Sequence, residues 1–315
     1  MTNILPDVSG KIDLLSQKAL RVIEKVASEK GAPFMLVGAL ARDILLEHIH
    51  VISAGRRTLD MDIGVLVDTW DHYLELTATL TAKQEFQKVN PNIQHRFRFK
   101  GKALIDIVPF GALADDQGDI YWPPDDDPKM SIIGFQEALD HSIPVSVDKD
   151  LIIMVASLPG LAMLKLLAWA DRRYLTGNDV HDLVLIMDYY GQVNRERLFD
   201  EHPELLVEYD HDEDLAGRKL LGRDMLSLMS EGTWKAVMRI ICGPEHHGQH
   251  YHAHDQKEET DEVVQHHGDD EHDQGDHDHQ LNEALVLDIQ RIISGRRYQV
   301  AEQYLLGLYE GLLFP

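Results

Sequence analysis

Two aspartates, Asp60 and Asp62, lie two residues apart in a stretch that is otherwise mostly apolar. Residues 58–67 predict a β-strand, and side chains two apart on a strand point to the same face. Two carboxylates held side by side repel each other unless a cation lies between them. Mg²⁺ prefers hard oxygen ligands and shares them with substrate phosphates. The pair therefore indicates either a magnesium site or two solvated acids on an exposed strand face, which is the commoner meaning of an isolated Asp-x-Asp pattern.

Two further segments add polar chemistry to that pair. Residues 34–46 predict a short strand, a small-residue turn at Gly38 and Ala39, and an amphipathic helix. Small residues at such a turn let backbone N–H groups approach an anion at the helix N-terminus. Residues 103–109 predict a third apolar strand that carries Asp106, a carboxylate that is costly to bury without a partner or a metal. The sequence thus predicts three carboxylates beside one phosphate-binding turn.

This combination resembles the DNA polymerase β nucleotidyltransferase superfamily. Gly38 and Ala39 stand where that superfamily has a Gly-[Ser/Gly] turn, and the run Gly-Ala-Leu-Ala-Arg-Asp-Ile-Leu-Leu is similar to the opening motif of tRNA nucleotidyltransferases. Ala39 replaces the residue that usually contacts phosphate, so that contact would use the backbone only. The resemblance implies that Asp60, Asp62 and Asp106 are catalytic and hold Mg²⁺, with Mn²⁺ as an alternative.

A second set of motifs is similar to the AbiEii/MenT-type toxin-like nucleotidyltransferases. One helical segment reads Lys-Leu-x-Ala…Arg from Lys165 to Arg172, and the next reads Asp-x-x-Asp-Leu from Asp179. The whole resemblance spans about residues 30 to 190. It implies catalytic roles for Lys165 and Asp182, and a nucleotide contact for Arg172.

Plainer interpretations exist for the same residue types. A lysine such as Lys165, with apolar neighbours one helical turn away, commonly extends its ammonium to solvent. Asp179 stands at a predicted helix N-terminus, where a carboxylate is favourable in itself. The tRNA-nucleotidyltransferase motif implies a nucleotide contact for Arg42. Arg57, in the loop before the Asp pair, is predicted to bind nucleotide phosphates, as guanidinium groups do, although a solvated loop arginine is the commoner case.

Basic and aromatic residues alternate in residues 95–102. On a strand this pattern puts Arg96, Arg98 and Lys100 on one face and two phenylalanines on the other. One interpretation is an amphipathic hairpin strand that turns at Gly101 into the third strand. Another is the basic side of a polyanion groove. The two interpretations are compatible.

The composition limits the function classes. The chain has 315 residues and a formal net charge of −24, which argues against a broad non-specific nucleic-acid binder. The single cysteine, Cys242, permits no internal disulfide and fits a reducing compartment. No run approaches the ~18 apolar residues that span a bilayer, and the first residues do not resemble a signal peptide. We therefore expect a cytoplasmic protein with no membrane partner.

The predicted fold class is α/β (α+β), with a nucleotidyltransferase-type mixed sheet, flanking helices and a helical C-terminal domain. The predicted domains are a catalytic domain at 1–155, a helical domain at 156–244, an insertion at 245–280, and C-terminal helices at 281–315 that complete the helical domain. Within these, the periodicity predicts helices over 11–30 and 70–87, a loop over 115–128 and strands over 143–155. Gly217 and Gly222 are predicted to mark helix ends or linkers.

The insertion has an unusual composition. Residues 245–279 hold ten histidines, twelve acidic residues and one lysine. Such a segment buries too little apolar surface to offset its chain entropy, so we predict disorder. Imidazole groups bind transition metals, but the irregular histidine spacing and the lack of cysteine partners argue against a defined zinc site.

The resemblance implies Mg²⁺-dependent transfer of a nucleoside monophosphate from an NTP such as ATP. The implied acceptor is a hydroxyl on a tRNA-like RNA or on a protein, in a toxin-like role with an antitoxin-like partner. Two alternatives belong to other classes. Ala39 favours a catalytically inactive binding module of the same fold, and the histidine-rich tract favours metal buffering.

Overall fold

The computed structural model describes residues 5–53, 60–83, 85–174, 177–243, 281–293 and 298–313. The predicted insertion at 245–280 and the predicted nucleotide contact of Arg57 lie outside the described residues. The domain boundaries stay predictions.

Strands and helices alternate in the first half of the chain. The elements are α1 (Leu14–Lys30), β1 (Phe34–Val37), α2 (Gly38–Asp43) with a π-helical continuation (Ile44–Ile49), β2 (Met61–Leu66), α3 (Trp70–Ala82), β3 (Phe86–Lys88), β4 (Arg96–Phe99), β5 (Ala103–Phe110), β6 (Asp119–Tyr121), β7 (Lys129–Ser131), α4 (Phe135–Asp140), β8 (Ile143–Asp148) and β9 (Leu151–Val155).

Seven of these strands form one mixed sheet in the order β3-β4-β5-β2-β1-β9-β8, and β6 pairs with β7 separately. In this sheet β2 runs antiparallel to β1 and parallel to β5. Helices lie between the strands along the chain and continue after the last strand. The predicted mixed α/β class with a C-terminal helical region is therefore confirmed.

The alternation in β4 and β5 separates the two faces of the sheet. Phe97, Phe99 and Ile105 are fully buried on one face. Arg96 and Asp106 alternate with them and are only partly buried, so they lie on the opposite face. Apolar packing on one side therefore fixes which residues of these strands point toward the candidate site.

Two predicted elements differ in detail. The helix predicted over 70–87 ends at Ala82, and Phe86 to Lys88 instead form a strand that pairs with β4. The loop predicted over 115–128 contains the short strand β6. In both places, pairing with the next strand along the chain outweighs the local pattern.

Helices make up the second half of the described chain. They are α5 (Leu158–Arg172), α6 (Asn178–Val193), α7 (Arg195–Asp200), α8 (Pro203–Glu208), α9 (Glu213–Leu228), α10 (Glu231–Cys242), α11 (Glu283–Ile292) and α12 (Tyr298–Leu313). None of these described helices, nor any in the first half, is long and apolar enough to cross a bilayer.

Glycines let α9 lie unusually close to its neighbours. A Cβ on Gly222 would come 2.2 Å from the carbonyl oxygen of Leu308 in α12. A Cβ on Gly217 would come 2.4 Å from the backbone of Gly191 in α6. Both α9 glycines lie inside the helix, so the prediction that they mark helix ends is wrong. They serve helix packing, where only a hydrogen atom fits.

The start of α11 is fixed to the end of α10. The backbone N–H of Asn282 donates to the Ile241 carbonyl at 2.7 Å, and its side-chain amide donates to the Ile240 carbonyl at 2.8 Å. The side-chain oxygen of Asn282 also accepts the N–H groups of Ala284 and Leu285, which caps α11. Residues 243 and 281 therefore lie near the same end of the helical region.

Candidate active site

The sheet register brings two of the predicted acids together. Asp62 on β2 and Asp106 on β5 are direct partners across parallel strands. On its other side, Asp62 pairs with Val37, the last residue of β1. Asp60 directly precedes β2 and is exposed. The point where β1 passes into α2 therefore lies beside the predicted carboxylates.

Gly38 packs directly against Asp62. Its φ is +70°, and a Cβ at this position would lie 2.0 Å from Asp62 Oδ2. Glycine alone combines this backbone conformation with the absence of a side chain. Ala39 follows in the first turn of α2, where its backbone N–H belongs to the unpaired end of the helix. The turn and the carboxylate thus form one compact unit.

Asp62 carries a negative charge that its surroundings do not fully stabilise. Burial raises the pKa of Asp62 to about 6; the charge of Lys165 opposes this shift, and that of Asp106 adds to it. Such a carboxylate gains from any cation that approaches it.

Arg96 is the ion-pair partner of Asp106. The two residues face each other across β4 and β5. Arg96 Nε lies 2.7 Å from Asp106 Oδ1, and Nη2 lies 2.6 Å from Oδ2. Both carboxylate oxygens therefore accept charge-assisted hydrogen bonds from one guanidinium. The sequence predicted Arg96 only as part of a basic strand face, although a hairpin turning at Gly101 already sets this pairing.

The donor chemistry suits Mg²⁺, because all the predicted ligands are carboxylate oxygens. Among the described residues, however, no three His, Cys, Asp or Glu side chains lie close enough to form a metal-binding group. The bidentate hydrogen bonds from Arg96 hold Asp106 toward β4. The Mg²⁺ or Mn²⁺ site at Asp60, Asp62 and Asp106 stays a prediction.

A second group of charged residues, here called the buried charge cluster, joins α2, α5 and α6. Its members are three cations and three acids: Arg42, Asp43, Lys165, Arg172, Asp179 and Asp182. Buried ions need such pairing, because each unpaired charge loses its hydration without compensation.

Lys165 lies at the centre of the buried charge cluster. Its Nζ is 2.7 Å from Asp182 Oδ2 and 3.1 Å from Asp179 Oδ1, and its side chain is 11% exposed. Arg42 donates to Asp182 from the other side and also to Asp43. Since Arg42 belongs to α2 and Asp182 to α6, these contacts fix the helix that begins at Gly38.

Arg172 is the exposed member of the buried charge cluster. It binds Asp179 through Nε and Nη2 at 2.7 and 2.9 Å, and its side chain is 49% exposed. Burial opposes ionisation of Asp179, but hydrogen bonds from Arg172 and the charge of Lys165 hold the pKa of this carboxyl below its ordinary value. Asp179 is therefore an ion-pair partner for two residues of α5 as well as a residue of the first turn of α6.

The predicted site residues thus fall into two groups. Gly38, Ala39, Asp60, Asp62 and Asp106 line the end of β1 and its neighbouring strands. The remaining described candidates belong to the buried charge cluster: Arg42, Lys165, Arg172 and Asp182. Their proposed roles at the nucleotide stay predictions. Sequence reasoning missed the roles of Asp43 and Arg96 as ion-pair partners, although Asp43 is adjacent to Arg42 and the hairpin places Arg96 opposite Asp106.

No model of a known protein family matches the chain, and no curated protein matches it in sequence. Solved structures show a distant likeness. The antibiotic-resistance factor ANT(2'')-Ia is 14% identical, with 62% of this chain and 97% of that chain covered and a TM-score of 0.34. An antigenic nucleotidyltransferase-like protein from Paracoccidioides brasiliensis is 16% identical, with 63% and 92% covered and a TM-score of 0.37.

A CCA-adding enzyme from Thermotoga maritima, solved with tRNA, covers more of this chain. It is 13% identical, with 96% of this chain and 82% of that chain covered and a TM-score of 0.31. Identities and TM-scores this low do not assign the chain to a family. The AbiEii/MenT-type branch also stays a prediction.

Proposed function

We propose that the protein is a divalent-metal-dependent nucleotidyltransferase that moves a nucleoside monophosphate from an NTP to an acceptor hydroxyl. One observation carries this proposal. The β2–β5 register sets Asp62 beside Asp106, at the place where Gly38 opens α2. A pair of carboxylates beside a helix N-terminus supplies both cation ligands and backbone donors for phosphate.

The residues have distinct roles in this reaction. Backbone N–H groups at Gly38 and Ala39 receive the phosphates, and Asp60, Asp62 and Asp106 hold the cation. When bound, a divalent ion stabilises the negative charge on the attacking and leaving oxygens. The acceptor oxygen forms a bond to the α-phosphorus as the bond to pyrophosphate breaks, and Asp106 helps to remove the acceptor proton.

The buried charge cluster supports this site through α2. Lys165 and Arg172 place positive charge near Asp62, and their charges favour its ionised form. We propose that Lys165 and Asp182 take part in transfer, with Arg42 and Arg172 stabilising the nucleotide end of the site.

The acceptor is either a tRNA-like RNA or a protein hydroxyl, and the resemblance adds a toxin-like role with an antitoxin-like partner. Basic residues lie on β4 and directly after it: Arg98 is partly buried, and Lys100 pairs with Glu85 at 2.7 Å. Arg98 adds positive charge to this strand of an overall acidic protein, which supports a polyanionic acceptor.

Labelled NTPs incubated with total RNA or total protein test the proposal. We expect label to enter one acceptor class with Mg²⁺ and not with EDTA, and to be lost in Asp62→Asn and Asp106→Asn. Asp116→Asn is the matched control, since Asp116 is an exposed acid in the loop after β5. Label that persists in Asp62→Asn, or labelling absent from the wild-type protein with every NTP, would contradict the proposal.

A second candidate is an inactive nucleotide-binding module. Ala39 in the turn and the Arg96 hydrogen bonds on both Asp106 oxygens favour it. Isothermal titration with NTP, in Mg²⁺ and in EDTA, separates the two candidates. Binding that is unaffected by metal, together with no transfer, would support the module.

A further inference from the structure

Three charged residues form a row across three neighbouring strands. Arg96 on β4 faces Asp106 on β5, and Asp106 faces Asp62 on β2. Strands lie about 4.8 Å apart, so the middle carboxylate has a guanidinium on one side and a like charge on the other. Asp106 is therefore the residue for which two cations compete: the one built into β4 and the one that the proposed function requires.

The Arg96 guanidinium is held by two hydrogen bonds but remains accessible to solvent. Arg96 engages both oxygens of Asp106 at 2.6 and 2.7 Å. The Arg96 side chain is 42% exposed, whereas the Asp106 side chain is 20% exposed. An arginine at this level of exposure exchanges its carboxylate for water at small cost. The carboxylate, fixed on a central strand, has less freedom to move.

We propose that Arg96 is a resident competitor of the divalent cation, which holds Asp106 in the metal-free protein and releases it when the cation binds. The inference rests on the proposed function, because that function requires the cation. Arg96 donates to both oxygens of Asp106, and a guanidinium cannot itself bind a metal, so a cation that binds Asp106 competes with Arg96 for the charge and lone pairs of the same carboxylate.

The arrangement also explains how two adjacent carboxylates coexist without metal. Asp62 and Asp106 repel each other, and Arg96 supplies the positive charge that would otherwise be missing from the row. Removing Arg96 should therefore have opposite effects on two properties: the metal-free protein loses a counter-ion, while the cation loses a competitor.

Mn²⁺ binding to the full-length protein, followed by the electron paramagnetic resonance signal of free Mn²⁺, tests the competition. We expect Arg96→Gln to bind Mn²⁺ about fivefold more tightly than the wild type at low ionic strength, the upper range for an exposed ion pair. Arg98→Gln is the matched control, because Arg98 lies two residues along the same strand face but faces Leu104. Its affinity should change by less than about twofold, since Arg98 faces Leu104 and its charge acts on Asp106 from further along the strand.

Three further variants make the result specific. Asp106→Asn, alone and combined with Arg96→Gln, removes the site and so subtracts any Mn²⁺ held by the histidine-rich tract. Arg96→Lys keeps the positive charge but loses the two-pronged geometry, so it should bind Mn²⁺ with intermediate affinity. This variant also serves if Arg96→Gln does not fold.

Nuclear magnetic resonance of the arginine Nε–H groups follows the release directly. The Arg96 signal, assigned by its loss in Arg96→Gln or Arg96→Lys, should shift when Mg²⁺ is added to the wild-type protein. An unchanged signal at saturating Mg²⁺, or Arg96→Gln binding Mn²⁺ no more tightly than Arg98→Gln, would overturn the inference while leaving the proposed function intact. Mn²⁺ binding that never depends on Asp106 would overturn both.

Discussion

Gly38 packs so closely against Asp62 that no methyl group fits between them. A Cβ on Gly38 would lie 2.0 Å from Asp62 Oδ2. The contact joins the turn that opens α2 to the strand that carries the carboxylate. Asp62 on β2 is also the direct partner of Asp106 on β5, so Asp62 cannot move aside without disturbing a second strand. The identity of residue 38 therefore determines the position of the proposed catalytic acid.

Gly38→Ala is expected to displace Asp62 and to lower transfer by at least ~100-fold, the effect of a misplacement of about 1 Å. Gly101→Ala is the matched control, because Gly101 also has φ +70° but a Cβ there would meet nothing within 4 Å. Single-turnover rates and thermal unfolding of both variants are compared. Similar losses of rate in the two variants would show that backbone strain, and not displacement of the Asp62 carboxylate, lowers the rate of transfer.

Asp62→Asn is expected to abolish transfer and to change how stability depends on pH. Burial raises the pKa of Asp62 from 3.8 to about 6, so the folded protein binds this proton more tightly than the unfolded chain. The tighter proton binding therefore adds to the free energy of unfolding at acidic pH. This added stability is lost as the pH rises through about 6.

Between about pH 5 and about pH 7.5, the wild type should lose about 1 kcal/mol of unfolding free energy relative to Asp62→Asn, since a tenfold change in proton affinity is worth about 1.4 kcal/mol. Urea unfolding in EDTA measures this difference. Asp60→Ala is expected to abolish transfer as well, with little effect on stability because Asp60 is exposed. Parallel pH profiles for the wild type and Asp62→Asn would contradict the assignment of a partly buried, poorly compensated carboxylate.

Lys165→Met tests whether the buried charge cluster takes part in transfer. Methionine fills the same path, but Asp179 and Asp182 lose a shared cation, so a cost of about 3 kcal/mol in stability is expected. Transfer should fall by at least ~100-fold if Lys165 acts on developing charge.

The double variant Lys165→Met with Asp179→Asn provides the control for Lys165→Met, because Asp179 pairs with Lys165 but has no proposed role in transfer. It removes one charge of each sign and should recover part of the stability, as measured by urea unfolding. A rate that recovers along with stability would make Lys165 a positioning residue. A near-normal rate in Lys165→Met itself would contradict the proposed role of Lys165 in transfer.

Gly222→Ala is expected to separate α9 from α12. The added Cβ would lie 2.2 Å from the Leu308 carbonyl oxygen, and overpacking of this kind costs about 1–3 kcal/mol. Gly232→Ala is the control, because Gly232 lies in the first turn of α10 and its nearest neighbour would be 3.9 Å away. That variant should be neutral or slightly stabilising, as alanine favours helix. Equal melting temperatures for the two variants would refute the close crossing.

Deleting residues 246–279, with a short flexible link in their place, is expected to lower Ni²⁺ and Zn²⁺ uptake and to change little else. The hydrogen bonds from Asn282 to the end of α10 show that the flanking helices already meet. Titration of both metals, thermal unfolding and Mg²⁺-dependent transfer are measured. A large fall in melting temperature or transfer would show that the tract contributes to the folded enzyme.

Local signals in the sequence were sufficient for much of the sheet. The helix at residues 11–30, the strand–turn–helix around Gly38 and the hairpin turning at Gly101 are all present in the structure. Each depends on contacts between near neighbours: apolar periodicity, a glycine with positive φ, or alternation along a strand. The same signals overextended the helix at 70–87, where pairing with β4 decides the conformation of Phe86.

The side-chain partners within the site were beyond sequence reasoning. Nothing near Lys165 in the sequence indicates that Arg42, more than a hundred residues earlier, shares its partner Asp182. The placement of Asp106 beside Asp62 likewise depends on a parallel pairing that follows a long connection. Residue type identified these acids as candidates, and tertiary structure decided which cation each one meets.

The turn between β4 and β5 has a consequence for how this protein tolerates change during evolution. Lys100 and Gly101 both have positive φ, 49° and 70°, as in tight hairpin turns. Their conformation sets Arg96 opposite Asp106, and adding or removing one residue would rotate Asp106 into the apolar face beside Phe97. Substitutions in the turn should thus be restricted to residues that tolerate positive φ, such as glycine and asparagine, and insertions and deletions between Phe99 and Ala103 should be rare among related chains.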